Sequence, residues 1–155
     1  MDPLEVKARS ERTIVALGGK TLEWLPWLDR TQPRESAEVA TRALAMHAVL
    51  QIYFGAPRAV IASWLRDNAA EAILSKRERV ILEAPENPLS EQERTNLYWY
   101  LESLWTLVWA GRLVEDLRIN QRVGDVLASL LPDIKTGEGG GRRISAVLLG
   151  SDQVN

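Results

Sequence analysis

The sequence predicts an all-α fold, a helical bundle packed around one hydrophobic helix at about residues 90–111. This stretch, SEQERTNLYWYLESLWTLVWAG, begins with the capping pattern Ser90-x-x-Glu93 and ends at Gly111. Apolar residues cover nearly every direction of its helical wheel, and a helix of that kind is normally buried. A second stretch, 36–54, carries apolar residues at three- and four-residue spacing, which is typical of a helix facing a core.

Further helix signals divide the rest of the chain. A first helix is expected from Asp2-Pro3 to about Leu17, where Gly18-Gly19 stops it. A long connection follows at residues 20–35. Later helices are expected to begin at Pro57, at the capping box Ser75-x-x-Glu78 and at Asp125, the last ending before Pro132. We expect one helical domain over residues 1–134, then a Gly-rich linker and short tail over 135–155.

Composition narrows the classes of function. The 155 residues carry 19 Lys and Arg against 21 Asp and Glu, a net charge of −2, which argues against a strongly basic nucleic-acid binder. There is no cysteine, the N-terminus lacks an apolar signal core, and the apolar run 97–110 is shorter than the ~20 residues of a spanning helix. We therefore expect a cytoplasmic protein that binds neither nucleic acid nor membrane.

The chain offers no complete set of catalytic or metal-binding residues. His47 is the single histidine, and neither a nucleophile elbow nor an HExxH spacing accompanies it. The glycines at 137–141 lack the Lys-Ser/Thr pair that follows in a phosphate-binding loop. We expect His47 to be a satisfied helix histidine, and we expect no catalytic residue, no metal and no cofactor.

Two charged residues stand on apolar helix faces. Glu102 lies among tryptophans in the 90–111 helix, and Arg42 lies in the 36–54 helix. A carboxyl group in a dry environment needs a partner or a proton. The structural interpretation is a buried Glu102–Arg42 pair that joins the two helices. The functional interpretation is a tuned acid or a ligand anchor.

Tryptophans are the other residues of interest. Trp24 and Trp27 fall in the 20–35 connection, where they either pin the loop onto the core, which we favour, or form an exposed anchor for a partner. Trp99, Trp105 and Trp109 are candidate aromatic contacts in the 90–111 helix. We expect Trp105 to be a core residue.

Several motifs together resemble a bacterial family known only as domain of unknown function 4272. The match covers roughly residues 4–134 and includes Arg42, Glu102, Trp105 and Trp109 at matching positions. The motifs that carry the resemblance are VKARSER at 6–12, EVATRALAMHAV at 38–49, SKRERVILEAPENPLSEQE at 75–93 and LESLWTLVWAGRLVEDL at 101–117. The resemblance implies an all-helical fold and no established activity.

The family also suggests a partner. Small bacterial domains of this kind often accompany secreted toxins, so the resemblance implies, by analogy, a toxin-immunity role. The leading hypothesis is a non-enzymatic domain that binds another protein. The alternative is a small-molecule binder or enzyme that uses Glu102 and Arg42 in a tryptophan-lined pocket.

The C-terminal part departs from the family pattern. That pattern continues with a tyrosine-arginine-histidine-tryptophan helix, whereas this chain turns into the Gly-rich segment and RRISAVLLGSDQVN. The surface that such a helix would cover must be closed in another way. We expect a homodimer, with docking of Ile144–Leu149 as the alternative.

Overall fold

The computed structural model describes residues 2–24, 34–85, 88–111, 113–115, 122–123 and 126–137. The chain divides into two compact units, Met1–Arg34 and Glu35–Asn155, and each is described by itself. The Gly-rich segment and tail from residue 138 onward lie outside the described residues, as do Asp125 and Ile144–Leu149. The predicted domain boundary at residue 134 and the predicted docking of the tail therefore stay predictions.

In its described residues, 2–24 and 34, the first unit contains one helix, α1, from Pro3 to Ala16. Asp2 caps it, because the carboxylate Oδ1 accepts a hydrogen bond from the Leu4 N–H at 3.1 Å, and Pro3 occupies the first helical position. Gly18 follows with φ of +81°, the left-handed conformation that glycine adopts without steric cost. The predicted start and end of this helix are confirmed.

The second unit is a bundle of helices. Every regular element in the portion of the chain that the structure describes is helical, so the predicted all-α fold is confirmed. The elements are α2 (Ser36–Tyr53), α3 (Arg58–Asp67), α4 (Lys76–Glu83), α5 (Glu91–Tyr98), α6 (Tyr100–Ala110) and α7 (Val126–Leu130), followed by a 3₁₀ turn (Ile134–Thr136).

Helix α2 lies at the centre of this bundle. Helices α3, α5 and α6 all pack against it, and a continuous run from Ala43 to Leu50 is buried. Four of its buried residues are alanines, whose small side chains let neighbouring helices approach closely. They are Ala40, Ala43, Ala45 and Ala48.

The stretch predicted as one buried central helix forms two helices on one side of α2. Helices α5 and α6 meet at Trp99. The Ser90 capping box is present as predicted, with the Glu93 N–H donating to Ser90 Oγ and the Ser90 N–H donating to Glu93 Oε2. Gly111 ends α6 as predicted, with φ of −77°, so it does not use the left-handed conformation that many glycines adopt at helix ends.

Only one face of the α5–α6 stretch is buried. Leu97, Leu104 and Val108 are fully buried, whereas Trp99 is 60 % exposed and Trp109 is 41 % exposed. The prediction that this stretch is buried on all sides is therefore wrong. When apolar residues surround a helix on all sides, the helical wheel does not show which side faces the core. In this protein, packing against α2 covers one side of the stretch only.

Lengthening an alanine of α2 tests its central position. Ala48→Leu should lower the free energy of unfolding by about 1–3 kcal/mol, because Ala48 is fully buried and extra methylene groups force neighbouring side chains apart. Ala37→Leu, at an exposed site on the same helix, should change it by less than about 0.5 kcal/mol. Urea unfolding measures both, and equal effects would contradict the assignment of α2 as the core helix.

Candidate functional site

A buried carboxylate joins three helices of the second unit. Glu78, at the start of α4, is 0 % exposed. It belongs to the capping box predicted from the sequence, in which the Glu78 N–H donates to Ser75 Oγ at 3.3 Å and the Ser75 N–H donates to Glu78 Oε2 at 2.7 Å. The glutamate that caps α4 thus brings its charge into the interior.

Both oxygens of Glu78 are fully used. Arg42, on α2, donates from Nη1 to Oε2 at 2.7 Å and from Nη2 to Oε1 at 2.8 Å, a bidentate pair. The Tyr100 hydroxyl, at the start of α6, donates to Oε1 at 2.7 Å. Together with the Ser75 N–H, each carboxylate oxygen accepts two hydrogen bonds, so this buried charge is well compensated.

The titration of this cluster favours a structural role. Burial by itself would raise the pKa of Glu78, but the hydrogen bonds from Arg42, Tyr100 and Ser75 outweigh it and lower the pKa to about 2. Burial and the bond to Glu78 raise the pKa of Tyr100 to about 12. The hydrogen bond to Glu78 raises the pKa of Arg42. None of these groups changes its charge near neutral pH, as a general acid or base would need to do.

The predicted Glu102–Arg42 pair is wrong. Arg42 binds Glu78, and no hydrogen bond or ion pair joins Arg42 to Glu102 in the described structure. Glu102 is half-buried and accepts a long hydrogen bond, 3.5 Å, from the Val123 N–H. The sequence shows the capping box at Ser75, but a capping glutamate normally needs only its hydrogen bond within the first helical turn. The residue spacing therefore did not indicate that Glu78 would also bind Arg42.

The tryptophans of α6 divide between core and surface. Trp105 is half-buried and packs against the core, so it belongs to the core only in part. Trp99 and Trp109 are exposed. In the first unit, Trp24 is 76 % exposed, in contrast to the buried loop anchor that we favoured, and Trp27 lies outside the described residues.

Two further aromatic side chains are exposed at the ends of α2 and α5. The exposed Phe54 and Tyr98 both contact Tyr53, with ring centroids 5.0 Å and 6.0 Å away, and the Arg94 guanidinium lies 4.8 Å from the centroid of the Tyr53 ring. We call the four exposed aromatic side chains of the second unit, taken together, the aromatic face; they are Phe54, Tyr98, Trp99 and Trp109.

A cavity of about 500 Å³ lies in the second unit between α2, α6, α7 and the 3₁₀ turn, and it shares Phe54 with the aromatic face. None of the site residues predicted from the sequence lines it. His47 and Gln51 of α2 and Asp133 supply its polar side chains. The apolar lining consists of Leu50, Phe54, Leu101, Val123, Leu127, Ala128, Leu131, Pro132 and Ile134.

His47 is satisfied on one side of its ring only. Its Nε2 lies 2.8 Å from the carbonyl oxygen of Pro132, and because a carbonyl accepts, Nε2 must carry the hydrogen. The buried Nδ1 has no hydrogen-bond partner among the residues that the structure describes. Burial lowers the pKa of His47 and outweighs the Pro132 hydrogen bond and the charge of Asp133, which both raise it. The net lowering of the pKa favours the neutral ring.

The described ranges contain neither a metal-binding cluster nor a membrane-spanning helix. No group of three or more His, Cys, Asp or Glu side chains there is placed to hold a metal ion. No helix there is long and apolar enough to cross a membrane.

Comparison with known proteins identifies a family but no function. The model of a family described as "Domain of unknown function (DUF4272)" matches residues 7–135, which confirms the resemblance seen in the motifs. The sequence matches no curated protein and no solved structure.

Removing the Arg42 guanidinium tests how far the stability of the bundle depends on the pairing of Glu78. Arg42→Met should lower the free energy of unfolding by about 3 kcal/mol, because it leaves a buried carboxylate without its countercharge. Glu102→Gln keeps an acceptor oxygen near Val123 and should cost less than about 0.5 kcal/mol. Chemical unfolding of both variants measures these changes in the free energy of unfolding. A larger decrease for Glu102→Gln than for Arg42→Met would contradict the assignment of Glu78 as the partner of Arg42.

The pH dependence of stability should carry a contribution from His47. Burial lowers its pKa in the folded state, so below about pH 6.5 the unfolded chain binds the proton more readily. The contribution is complete above pH 6.5 and is lost as the pH falls towards the folded-state pKa.

Urea unfolding between pH 7.5 and 5.5 measures this contribution. The wild-type protein should lose stability more steeply than His47→Gln as the pH falls, since His47 is the only histidine and the carboxylates are common to both proteins. Parallel curves for the two proteins would show that His47 is equally easy to protonate in the folded and unfolded states.

Proposed function

We propose that this chain, which belongs to the DUF4272 family, is a non-enzymatic protein-binding domain that contacts its partner through the aromatic face. The observation that carries the proposal is the exposure of four large aromatic side chains at the end of α2 and along α5 and α6, namely Phe54, Tyr98, Trp99 and Trp109. Large exposed apolar patches on folded proteins mark interaction sites more often than not.

Helix geometry places Tyr98 and Trp109 on one side of the α5–α6 stretch and Trp99 on the adjoining side, about 100° round the helix axis from Tyr98. Trp99 keeps right-handed helical dihedral angles, φ −65° and ψ −13°, between α5 and α6. Tyr98 and Trp109 are eleven residues apart, which is close to three helical turns, so they project from the same side, with the half-buried Trp105 between them. Phe54 reaches this side through its contact with Tyr53.

The residue types suit an interface. Tryptophan and tyrosine are enriched among the residues that dominate binding energy, and aromatic side chains can each bury about 150–250 Å². The Arg94 guanidinium lies over the ring of Tyr53, and the half-buried Glu102 lies about one helical turn from Trp99 and from Trp105. A partner surface with an apolar centre and a cationic group opposite Glu102 would complement this arrangement.

The absence of a poised acid or base in the buried cluster supports a binding role over catalysis. Arg42, Glu78 and the neutral Tyr100 hydroxyl satisfy one another, and none of the three changes its protonation state near neutral pH. Following the family analogy, a toxin encoded beside the gene is the first partner to test. In that case the domain would act as an immunity protein in the cytoplasm of the bacterial cell that makes the toxin.

Site-specific crosslinking in the source cell tests the proposal. A photo-crosslinking amino acid at position 109 should capture a protein that the same group at Val80, an exposed site on α4, does not capture. The double variant Trp99→Ala/Trp109→Ala should then bind that purified protein about 30-fold more weakly or worse, and Val80→Ala should bind it as wild type does.

Thermal unfolding supplies the control. Both tryptophans are exposed, so the double variant should melt within a few degrees of the wild-type protein. Equal crosslinking at positions 80 and 109, or unchanged affinity of the double variant, would overturn the proposal. Crosslinks to a second copy of the chain, with a dimer in light scattering at micromolar concentration, would identify the predicted homodimer as the user of this face.

A further inference from the structure

We propose that the apolar segment Ile144–Leu149 of this chain docks in the cavity between α2, α6 and α7. The segment lies outside the described residues, and the sequence predicts its docking only as an alternative to a homodimer, without a place for it. The cavity supplies that place. The inference does not rest on the proposed protein-binding function, because Trp99 and Trp109 do not line the cavity, although Phe54 belongs to both surfaces.

The cavity has an aliphatic floor and an open mouth. Leu50, Leu127 and Leu131 line it and are buried. Other lining residues keep exposed surface and therefore form the mouth; they are Gln51, Phe54, Leu101, Val123, Ala128 and Asp133. An occupant can thus enter from solvent and meet mainly apolar walls, where burial is favourable in proportion to the apolar area removed from water.

The size of the cavity suits a few aliphatic side chains. Its volume of about 500 Å³ is roughly three times that of the ~150 Å³ cavity that holds one benzene molecule in an engineered protein core. The segment, ISAVLL, consists of five apolar residues and one serine, with no charge.

The spacing within the segment indicates which side chains enter. Ile144 and Leu148 are four residues apart, so they share one side in a helix and also in a strand. Leu149 projects in a different direction in both conformations. We therefore expect Ile144 and Leu148 in the cavity and Leu149 outside it.

The covalent connection between cavity and segment is short. Ile134 lines the cavity, and the described chain ends three residues later at Gly137. Six residues, 138–143, separate Gly137 from Ile144, and an extended chain over that distance spans at most about 25 Å, roughly two helix diameters. A segment tethered so closely reaches its site at an effective concentration in the millimolar range, which a second copy or a free ligand does not match.

Charge complementarity favours the same segment. Asp133 lines the cavity, and Glu102 lies beside it, accepting a hydrogen bond from the N–H of the lining residue Val123. Arg142 and Arg143 come directly before the segment. An apolar segment that follows two cations therefore meets an apolar cavity bordered by two carboxylates, and charge pairs of this kind fix register more than they add affinity.

Two neighbouring leucines give a matched pair of variants. Leu148→Asp would bring a charge into an apolar cavity, so the segment should leave it and the melting temperature should fall by at least about 3 °C. Leu149→Asp adds the same charge on the side that docking leaves free, and should melt within about 1 °C of the wild-type protein. Thermal unfolding of the full-length proteins, followed by circular dichroism, measures both.

A spin label tests where the segment lies. The chain has no cysteine, so Ser151→Cys gives a single attachment site for a nitroxide just beyond the segment. The nitroxide should broaden the methyl resonances of Leu50 and Leu101, which line the cavity from α2 and α6. It should broaden those of Val80, on α4 and outside the lining, much less.

The two aspartate variants and a mixed sample complete the test. Adding Leu148→Asp to the spin-labelled protein should remove the difference in broadening between the cavity methyl groups and Val80, and adding Leu149→Asp should keep it. A mixture of isotope-labelled protein without nitroxide and unlabelled protein with nitroxide should show no broadening, because the segment docks within its own chain.

Three results would each overturn this inference. Equal broadening of the cavity methyl groups and of Val80 would show that the segment does not occupy the cavity. Equal effects of Leu148→Asp and Leu149→Asp would show that Leu148 is not buried there. Broadening in the mixed sample would show that the segment docks on a second copy of the chain.

Discussion

The bundle depends on one buried carboxylate and the four hydrogen bonds that it accepts. Taking a carboxylate out of water is expensive unless charge and hydrogen bonds replace the solvent. Arg42, Tyr100 and Ser75 do this for Glu78, and in doing so they fix α2, α6 and α4 relative to one another. Aliphatic contacts have no preferred direction, whereas the bidentate pair of Arg42 and Glu78 requires one relative placement of its two helices.

The fold class and most helix ends could be predicted because their signals are local. Capping by Asp2, Ser75 and Ser90 depends on residues within one helical turn, and all three caps are present. The orientation of the 90–111 stretch could not be predicted in the same way. Its wheel has no polar face, so the side that meets α2 is decided by packing with distant residues.

The candidate site was less predictable than the fold because its contacts join distant parts of the chain. Arg42 and Glu78 are 36 residues apart, and His47 and the Pro132 carbonyl are 85 residues apart. Helical spacing identifies residues that share a face, but it does not show which faces meet. Helical spacing therefore predicted a carboxylate partner for Arg42 but indicated Glu102 instead of Glu78. It gave no sign that His47 Nδ1 lacks a hydrogen-bond partner among the described residues.

The double use of Glu78 has a consequence for how the second unit folds. Helix α4 has eight residues, too few to persist alone in water, so its first turn needs support from outside the helix. The carboxylate that closes its first turn is also the group that binds α2 and α6. When α4 separates from the bundle, its capping residue Glu78 loses both Arg42 and Tyr100. Fraying of the first turn of α4 is therefore coupled to the loss of its contacts with α2 and α6, so these parts unfold cooperatively.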